Sequence, residues 1–284
     1  MVTVRTVFSI AASRGWDLFQ MDVNNAFLQG DLYEDVYLEL PQGFQRQGEY
    51  KVYKLLKSLY GLKQASRQWN IKLIEALVKA EYHQSANDHS LFTKYTTSDI
   101  VVILVYVDDL FITGSNAEII KEAKQTIQNS FKVKDLGDKI LLRTGTQSVY
   151  AATKEISLGC SVVSDWASCA NTGRSVIGYV IKLGDSLLPW KSKKQQTVSR
   201  SSAEAGYRSF AAPAAEITWF LGLLKELHVQ IQLPVSLHCD SKAEPYKHYK
   251  NEGLSQQHFL LPYIQCCWQK YFWQRQRSRY TPLQ

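Results

Sequence analysis

Residues 106–109 read YVDD, and they interrupt a stretch that is otherwise apolar from Ile100 to Ile112. The apolar residues on both sides predict a β-hairpin with mostly buried strands. Two carboxylates about 4 Å apart repel each other by roughly 4 kcal/mol at an effective dielectric constant of about 20. Asp108 and Asp109 therefore predict a bound cation, and a divalent metal is the usual one. The alternative is a turn in which both acids are solvated, because Asp is a favoured turn residue.

A second acid, Asp22, stands in a similar setting upstream. Residues 18–28 read LFQMDVNNAFL, so a short and mostly apolar strand ends at Asp22 and runs into a turn. If this strand pairs with the 100–107 strand, Asp22 and Asp108 come together at one end of a sheet. Such a carboxylate cluster can hold two divalent metals about 4 Å apart for nucleotidyl transfer. The alternative role of Asp22 is a helix N-cap.

Three segments resemble the palm motifs A, B and C of the reverse transcriptase of copia-type LTR retrotransposons. They are residues 21–28 (MDVNNAFL), 58–65 (SLYGLKQA) and 106–109 (YVDD), in the order that the family has. The resemblance implies an α+β fold that begins with a palm-like domain, an antiparallel sheet with helices. It also implies RNA-directed DNA polymerase activity.

The resemblance assigns roles to the acids. Asp22 and Asp108 are implied to be catalytic and to bind Mg²⁺ (or Mn²⁺), with Asp109 in support. One ion would activate the primer hydroxyl, and the other would neutralise the leaving pyrophosphate.

The nucleotide-binding residues implied by the resemblance belong to motifs A and B. Phe27 would pack against the sugar and exclude a ribose 2′-hydroxyl; the alternative is a core aromatic. Tyr60 and Gly61 would shape the nucleotide pocket, where a glycine permits close backbone approach. Lys63 would also bind there, at the start of a predicted helix that runs to about residue 79. That helix could pack under the template–primer or be an ordinary amphipathic helix with a basic solvent face.

The composition fits a multidomain protein of the cytoplasm. The 284 residues are 45% hydrophobic, which is enough for two cores. The longest apolar run is too short to cross a bilayer and the N-terminus resembles no signal peptide, so no membrane association is expected. The five cysteines lack zinc spacing and are expected to be reduced thiols. In the family, the implied location is a cytoplasmic virus-like particle.

Charge divides the chain near residue 138. Residues 1–138 carry 15 basic and 17 acidic side chains, whereas residues 139–284 carry 18 and 9. The basic second half suits a polyanionic partner, although solubility alone could account for part of the excess. The expected partners are an RNA/DNA template–primer duplex and deoxynucleoside triphosphates.

The second half resembles the ribonuclease H domain of the same polyproteins. The resemblance implies a mixed α/β domain whose carboxylate cluster binds two Mg²⁺ ions. Residues 176–182 and 235–239 are predicted strands, and residues 201–228 are a predicted helix. The matching segments are residues 164–169 (SDWASC), 174–179 (RSVIGY), 190–205 (WKSKKQQTVSRSSAEA) and 237–242 (LHCDSK).

The catalytic positions of that second domain are damaged. Val163 stands where the family has the first Asp of Asp-Ala-Asp-Trp-Ala, and Gly206 replaces the second Glu of Glu-Ala-Glu-Tyr. Glu204 and Asp240 are the remnant of the site, and only Asp240 stands intact as a metal ligand. A lone carboxylate cannot hold two divalent ions, so we expect ribonuclease H activity to be lost. We also expect Pro213 to interrupt the helix, at about 3 kcal/mol if it is interior.

The sequence therefore predicts four segments. Residues 1–138 would form the palm, with fingers and thumb incomplete, and residues 139–157 would be a junction at an apparent internal deletion. Residues 158–262 would form the degenerate ribonuclease H-like domain. Residues 263–284 are an unassigned basic and aromatic tail, which could stack on single-stranded nucleic acid or derive from a frameshift.

Three interpretations follow. The first is a reverse transcriptase that is defective in this copy, because incomplete fingers and thumb would weaken the grip on template–primer. The second is a non-catalytic nucleic-acid-binding remnant. The third is a decayed element-derived reading frame that forms no single stable unit.

Overall fold

The chain divides into two compact units, each with its own sheet. The computed structural model describes residues 2–40, 52–138, 156–233 and 235–239. The unit Arg14–Thr144 contains six strands in one sheet, and we call it the six-stranded unit. Met1–Ser13 groups with Gly145–Gln284 in the second unit, the four-stranded unit.

The six-stranded unit is an antiparallel sheet with helices, as the sequence predicts. Its strand order is β4-β5-β6-β7-β1-β8, with antiparallel pairing throughout, and β2 pairs with β3 in a separate two-stranded ribbon. The first helix of the chain, α1 (Val2–Arg14), precedes these elements. The elements are β1 (Leu18–Val23), α2 (Ala26–Gln29), β2 (Tyr37–Glu39), β3 (Val52–Lys54), α3 (Ala65–Lys79), β4 (His83–Gln84), β5 (Leu91–Tyr95), β6 (Ile100–Tyr106), β7 (Asp109–Gly114), α4 (Ala117–Ser130) and β8 (Val133–Asp138).

The core of this unit lies between the sheet and the helices α3 and α4. In α4, Ile120, Ala123 and Ile127 are buried, at the three- and four-residue spacing that puts side chains on one helix face. The side chain of Asn116 caps this helix by accepting a hydrogen bond from the backbone N–H of Glu118 at 2.9 Å. Five consecutive residues of β6 are buried, so this apolar strand is central to the core.

The strand that carries Asp22 does not pair with the 100–107 strand, so the pairing considered for it is not formed. β1 pairs with β7, and β7 lies between β1 and β6. β6 and β7 form a tight hairpin, so β7 lies beside β6 on one side. β5 lies beside β6 on the other side, which leaves no place for β1. The acids still meet, because β7 begins at Asp109.

The four-stranded unit has a mixed sheet, as predicted. Its strand order is β11-β10-β9-β12; β12 runs parallel to β9, and the other pairs are antiparallel. The predicted strands and helix correspond to β10, β12 and α5, and α5 packs against β9 and β10. The elements are β9 (Leu158–Asp165), β10 (Val176–Leu183), β11 (Ser186–Lys194), α5 (Ser202–Glu226) and β12 (Ser236–Cys239).

Two features of this unit differ from expectation. Helix α5 continues for 25 residues through the buried Pro213, so the proline does not interrupt it. Burial of Ile217 and Phe220 beyond the proline offsets the lost backbone hydrogen bond. Residues 1–13 also group with this unit rather than with the rest of residues 1–138, and the Arg5 guanidinium stacks on the Trp190 ring, 4.3 Å from its centroid.

None of the helices in the described part of the chain is long and apolar enough to cross a membrane.

Gly114 provides a test of the β6–β7 packing. A Cβ at this position would lie 2.6 Å from the carbonyl oxygen of Ile100, a backbone atom that cannot move aside. We expect Gly114→Ala to lower the free energy of unfolding by roughly 1–3 kcal/mol, as overpacking does. Urea unfolding followed by tryptophan fluorescence measures this change.

The matched control is Gly159→Ala. Gly159 is also a strand glycine, but an added Cβ would meet nothing within 4 Å. This variant should stay within about 0.5 kcal/mol of wild type. Equal stability of the two variants would contradict the close approach of β6 and β7.

Candidate active site

The acids of motifs A and C meet at one end of the six-stranded sheet. Asp22 on β1 lies directly opposite Asp109 on β7. Side chains directly opposite each other point to the same face of a sheet. One residue further, the backbone N–H of Val23 donates to the carbonyl oxygen of Asp108 at 2.8 Å. All three acids are half-buried, and Asp22 is a strand residue rather than a helix N-cap.

Asp108 lies in a two-residue hairpin loop. Tyr106 pairs with Asp109, so only Val107 and Asp108 connect β6 to β7. Val107 has a φ of 59°, a conformation that hairpin loops usually give to glycine or asparagine. For a β-branched residue this conformation costs of order 1–3 kcal/mol and persists only where the surroundings hold it.

Asp109 is held by a buried amide. The side-chain N–H of Gln20 donates to Oδ1 of Asp109, and Gln20 is buried on β1 two residues before Asp22. Because side chains two residues apart on a strand share a face, Gln20, Asp22 and Asp109 line one surface. Asp109 therefore has a structural partner within the sheet, which fits a supporting role.

Tyr60 lies beside the two other acids and against Phe27. The rings of Phe27 and Tyr60 have centroids 4.4 Å apart and are tilted by 38°. Partial burial and then the charges of Asp108 and Asp22 raise the pKa of Tyr60 above its usual value. Phe27 is half-buried and packs on the core cluster, so it is partly the core aromatic of the alternative interpretation.

The two other predicted nucleotide-binding residues of motif B, Gly61 and Lys63, are exposed and lie in turns before α3. Gly61 follows Tyr60 with a φ of 94°, a left-handed conformation that favours glycine. Lys63 lies exposed in the turn before α3. The contacts of the described residues do not connect Lys63 to the carboxylates.

Asp31 connects the segment after motif A to the residues on either side of motif B. Its Oδ1 atom lies 2.5 Å from Nζ of Lys57, and its Oδ2 atom lies 3.0 Å from Nζ of Lys72 on α3. Asp31 and Lys57 also form an isolated antiparallel β-bridge. The hydrogen bonds from the two lysines hold the pKa of Asp31 below its usual value.

Three contacts of the site are absent from the sequence-based predictions. Trp69 on α3 donates from Nε1 to the carbonyl oxygen of Val107 at 2.8 Å. Gln20 holds Asp109, and Lys134 on β8 lies opposite Asp22. The available signal for Trp69 was its place in the apolar stripe of a helix, because a buried indole N–H needs a hydrogen-bond partner.

The acids of the site do not form a closed metal cage. Among the residues that the structure describes, no three or more His, Cys, Asp and Glu side chains converge on a point that could hold a metal ion. Mg²⁺ in sites that act on phosphates is usually held by one or two carboxylates together with the substrate phosphates. Asp22 and Asp108 fit that arrangement.

Glu204, one of the two residues of the predicted ribonuclease H remnant, makes the contacts of a helix N-terminus. Glu204 closes the N-terminus of α5: its backbone N–H donates to Ser201 Oγ at 3.2 Å, and its Oε2 accepts from the Arg200 N–H at 2.7 Å. It also pairs with Arg208 at 2.6 Å. These contacts are those of a helix cap. Asp240 lies outside the described residues.

Comparison with known proteins assigns the family. The family model for the reverse transcriptase (RNA-dependent DNA polymerase) matches residues 1–146. The chain belongs to this family. The predicted resemblance to copia-type reverse transcriptases is thereby confirmed, and all three acids lie in the matched region.

Two relatives of the chain are retrovirus-related Pol polyproteins of transposons. The retrovirus-related Pol polyprotein from transposon RE1 of Arabidopsis thaliana is 29% identical over 352 residues, which cover 86% of this chain and 24% of that protein. The one from transposon TNT 1-94 of Nicotiana tabacum is 41% identical over 139 residues, 48% of this chain and 10% of that protein. This chain thus spans about a quarter of RE1 and a tenth of TNT 1-94.

The link through Asp31 predicts a pH-dependent effect of Asp31→Asn. Because the folded-state pKa of Asp31 is lowered, its ion pairs stabilise the fold above the unfolded-state pKa of about 3.8 and are lost as the pH falls through the folded-state value. We expect Asp31→Asn to be less stable than wild type at neutral pH, and this difference to vanish in acid. Urea unfolding from pH 7 to pH 2 measures it.

The control for this experiment is Glu75→Gln, which removes an exposed carboxylate from α3. It should stay within about 0.5 kcal/mol of wild type at neutral pH. A stability difference for Asp31→Asn that persists unchanged at the lowest pH would contradict the charged contacts of Asp31.

Proposed function

We propose that this chain carries an RNA-directed DNA polymerase site that performs nucleotidyl transfer with Asp22 and Asp108 as its metal ligands. One observation carries the proposal: the β1–β7 register brings Asp22 to the hairpin loop that holds Asp108, next to Tyr60. Two acids from separate motifs then face one aromatic side chain. Such convergence of charge is costly in a fold unless a cation or substrate uses it.

The protein groups would divide the work between them. Two bound divalent ions would supply the charge that activates the primer hydroxyl and neutralises the leaving pyrophosphate. Asp22 and Asp108 would hold those ions, and Gln20 would keep Asp109 in place as the support of the loop. The stacked rings of Phe27 and Tyr60 would receive the sugar of the incoming deoxynucleotide, and Gly61 would allow the backbone to approach it.

We further propose that the activity of this copy is reduced. The alignment with the RE1 polyprotein is 352 residues long, whereas this chain has 284, so RE1 has at least 68 residues in that region without a counterpart here. This difference supports an internal deletion, for which residues 139–157 are the proposed position. Loss of phosphate-contacting surface would weaken the binding of template–primer.

The four-stranded unit is proposed to be a ribonuclease H-like domain without activity. Its strand order, with three antiparallel strands followed by a helix and a parallel strand, is consistent with the mixed sheet that the sequence predicts. Val163 on β9 and the buried Gly206 on α5 occupy positions where the resemblance implies carboxylates. Neither residue has a side-chain oxygen that could bind Mg²⁺.

A second candidate function is nucleic-acid binding without catalysis. The edge strand β11 exposes Lys191 and Lys193 on one face, a pair of cationic groups that suits a polyanionic strand. This function would not depend on Asp22 or Asp108.

Primer extension tests the proposed activity. A DNA primer on an RNA template is extended with Mg²⁺ or Mn²⁺ by the wild type, by Asp108→Asn and by the control Glu75→Gln. We expect slow extension by the wild type and the control, and none by Asp108→Asn, which loses a metal ligand.

The binding alternative is distinguished in the same samples by filter binding of the template–primer. Nucleic-acid binding without extension, equal in wild type and Asp108→Asn, would favour the second function. Extension by Asp108→Asn at the wild-type rate would contradict the assignment of the metal ligand.

A further inference from the structure

The loop residue Asp108 is held through both of its neighbouring peptide groups. The carbonyl oxygen of Val107 accepts the Trp69 indole N–H at 2.8 Å. The carbonyl oxygen of Asp108 accepts the backbone N–H of Val23, also at 2.8 Å. The planes of the two peptide groups that flank a Cα atom determine where its side chain points. These two bonds therefore orient the Asp108 carboxylate, one from α3 and one from β1.

Trp69 is a rigid point of attachment. It is 2% exposed within the core of the six-stranded unit, and its ring packs edge-on against Phe131 with centroids 5.0 Å apart. On the other side its backbone faces Gly30, where an added Cβ would lie 3.0 Å from the Trp69 nitrogen. A donor packed from both sides can hold its acceptor without moving.

The loop between β6 and β7 needs the Trp69 hydrogen bond to keep its conformation. Val107 adopts a φ of 59°, which its branched side chain disfavours, and its side chain is half-exposed and so contributes little packing. Without the indole bond, the peptide group between Val107 and Asp108 would be free to rotate toward a relaxed conformation. The Asp108 carboxylate would then move relative to Asp22.

We propose that Trp69 is a positioning residue for the metal ligand Asp108, acting through the hydrogen bond from its indole N–H to the Val107 carbonyl. This inference rests on the polymerase site proposed above. It connects motif B to motif C: the helix that follows Tyr60 and Gly61 also sets the direction of the carboxylate in the hairpin loop. Trp69 positions Asp108 through the hydrogen bond from its indole N–H, and this effect is separate from the packing of its ring.

Two variants separate the hydrogen-bond donor of Trp69 from the volume of its ring. Trp69→Phe removes the N–H and most of one ring, and site-specific incorporation of 3-benzothienylalanine at position 69 keeps the bicyclic shape with sulfur in place of the N–H. The control is Trp16→Phe, the same substitution in the same unit, next to the opposite end of β1 from Asp22. Mn²⁺ binding to the full chain is measured by electron paramagnetic resonance, and cooperative thermal unfolding is measured in parallel.

We expect both Trp69 variants to bind Mn²⁺ more weakly than wild type by a factor of about ten or greater. This is the loss typical when a group that orients a metal ligand is removed. The benzothienyl variant should unfold at the wild-type temperature, and Trp16→Phe should bind Mn²⁺ as wild type does. Primer extension should fall in the same proportion as Mn²⁺ affinity. If Trp69→Phe does not unfold cooperatively, the benzothienyl variant alone decides.

The two proposals fail in different ways. Wild-type Mn²⁺ binding that Asp108→Asn leaves unchanged would remove the proposed metal site, and the role of Trp69 with it. Wild-type binding that depends on Asp108 but is unchanged in the benzothienyl variant would retain the metal site and overturn the positioning role.

Discussion

The antiparallel pairing of β1 with β7 is the constraint on which the site depends. It places Asp22 opposite Asp109 and continues for one more hydrogen bond, from Val23 to the Asp108 carbonyl. Because side chains alternate between the faces of a strand, a register shift of one residue would send Asp22 to the opposite face. The buried Met21 and Val23 on either side of it hold the register, since the shift would expose them.

The hairpin between β6 and β7 combines strain with repulsion. Val107 is held at an unfavourable φ, and the acids Asp108 and Asp109 are adjacent in the chain. Core contacts provide the compensation: Trp69 bonds the Val107 carbonyl, and Gln20 bonds Asp109. Strained conformations of this kind persist at functional sites because the surrounding structure over-determines them. A fold without a use for Asp108 could relax the loop with glycine or asparagine at position 107.

Sequence patterns predicted the parts of the structure that depend on local periodicity. Helices α3 and α5, strand β10 and the hairpin at residues 106–109 lie where expected. The pairing partner of β1 was not predicted, because the apolar pattern of a strand does not determine which strand lies beside it. The hydrogen bonds of Gln20 and Trp69 at the site were not predicted from the sequence, since their partners lie 89 and 38 residues away in the chain. The continuity of α5 through Pro213 was missed because burial beyond the proline outweighs the local cost.

The convergence of Asp22 and Asp108 can be tested through the ionisation of Tyr60, followed by NMR of ¹³Cζ-labelled tyrosine, with Tyr60→Phe to assign the signal. Partial burial and then the charges of Asp108 and Asp22 are expected to raise the pKa of Tyr60 above its ordinary value in wild type. It falls in both Asp22→Asn and Asp108→Asn, because each variant removes a negative charge, and it is unchanged in Glu75→Gln. A pKa of Tyr60 that is the same in wild type and both aspartate variants would contradict the convergence of the two acids.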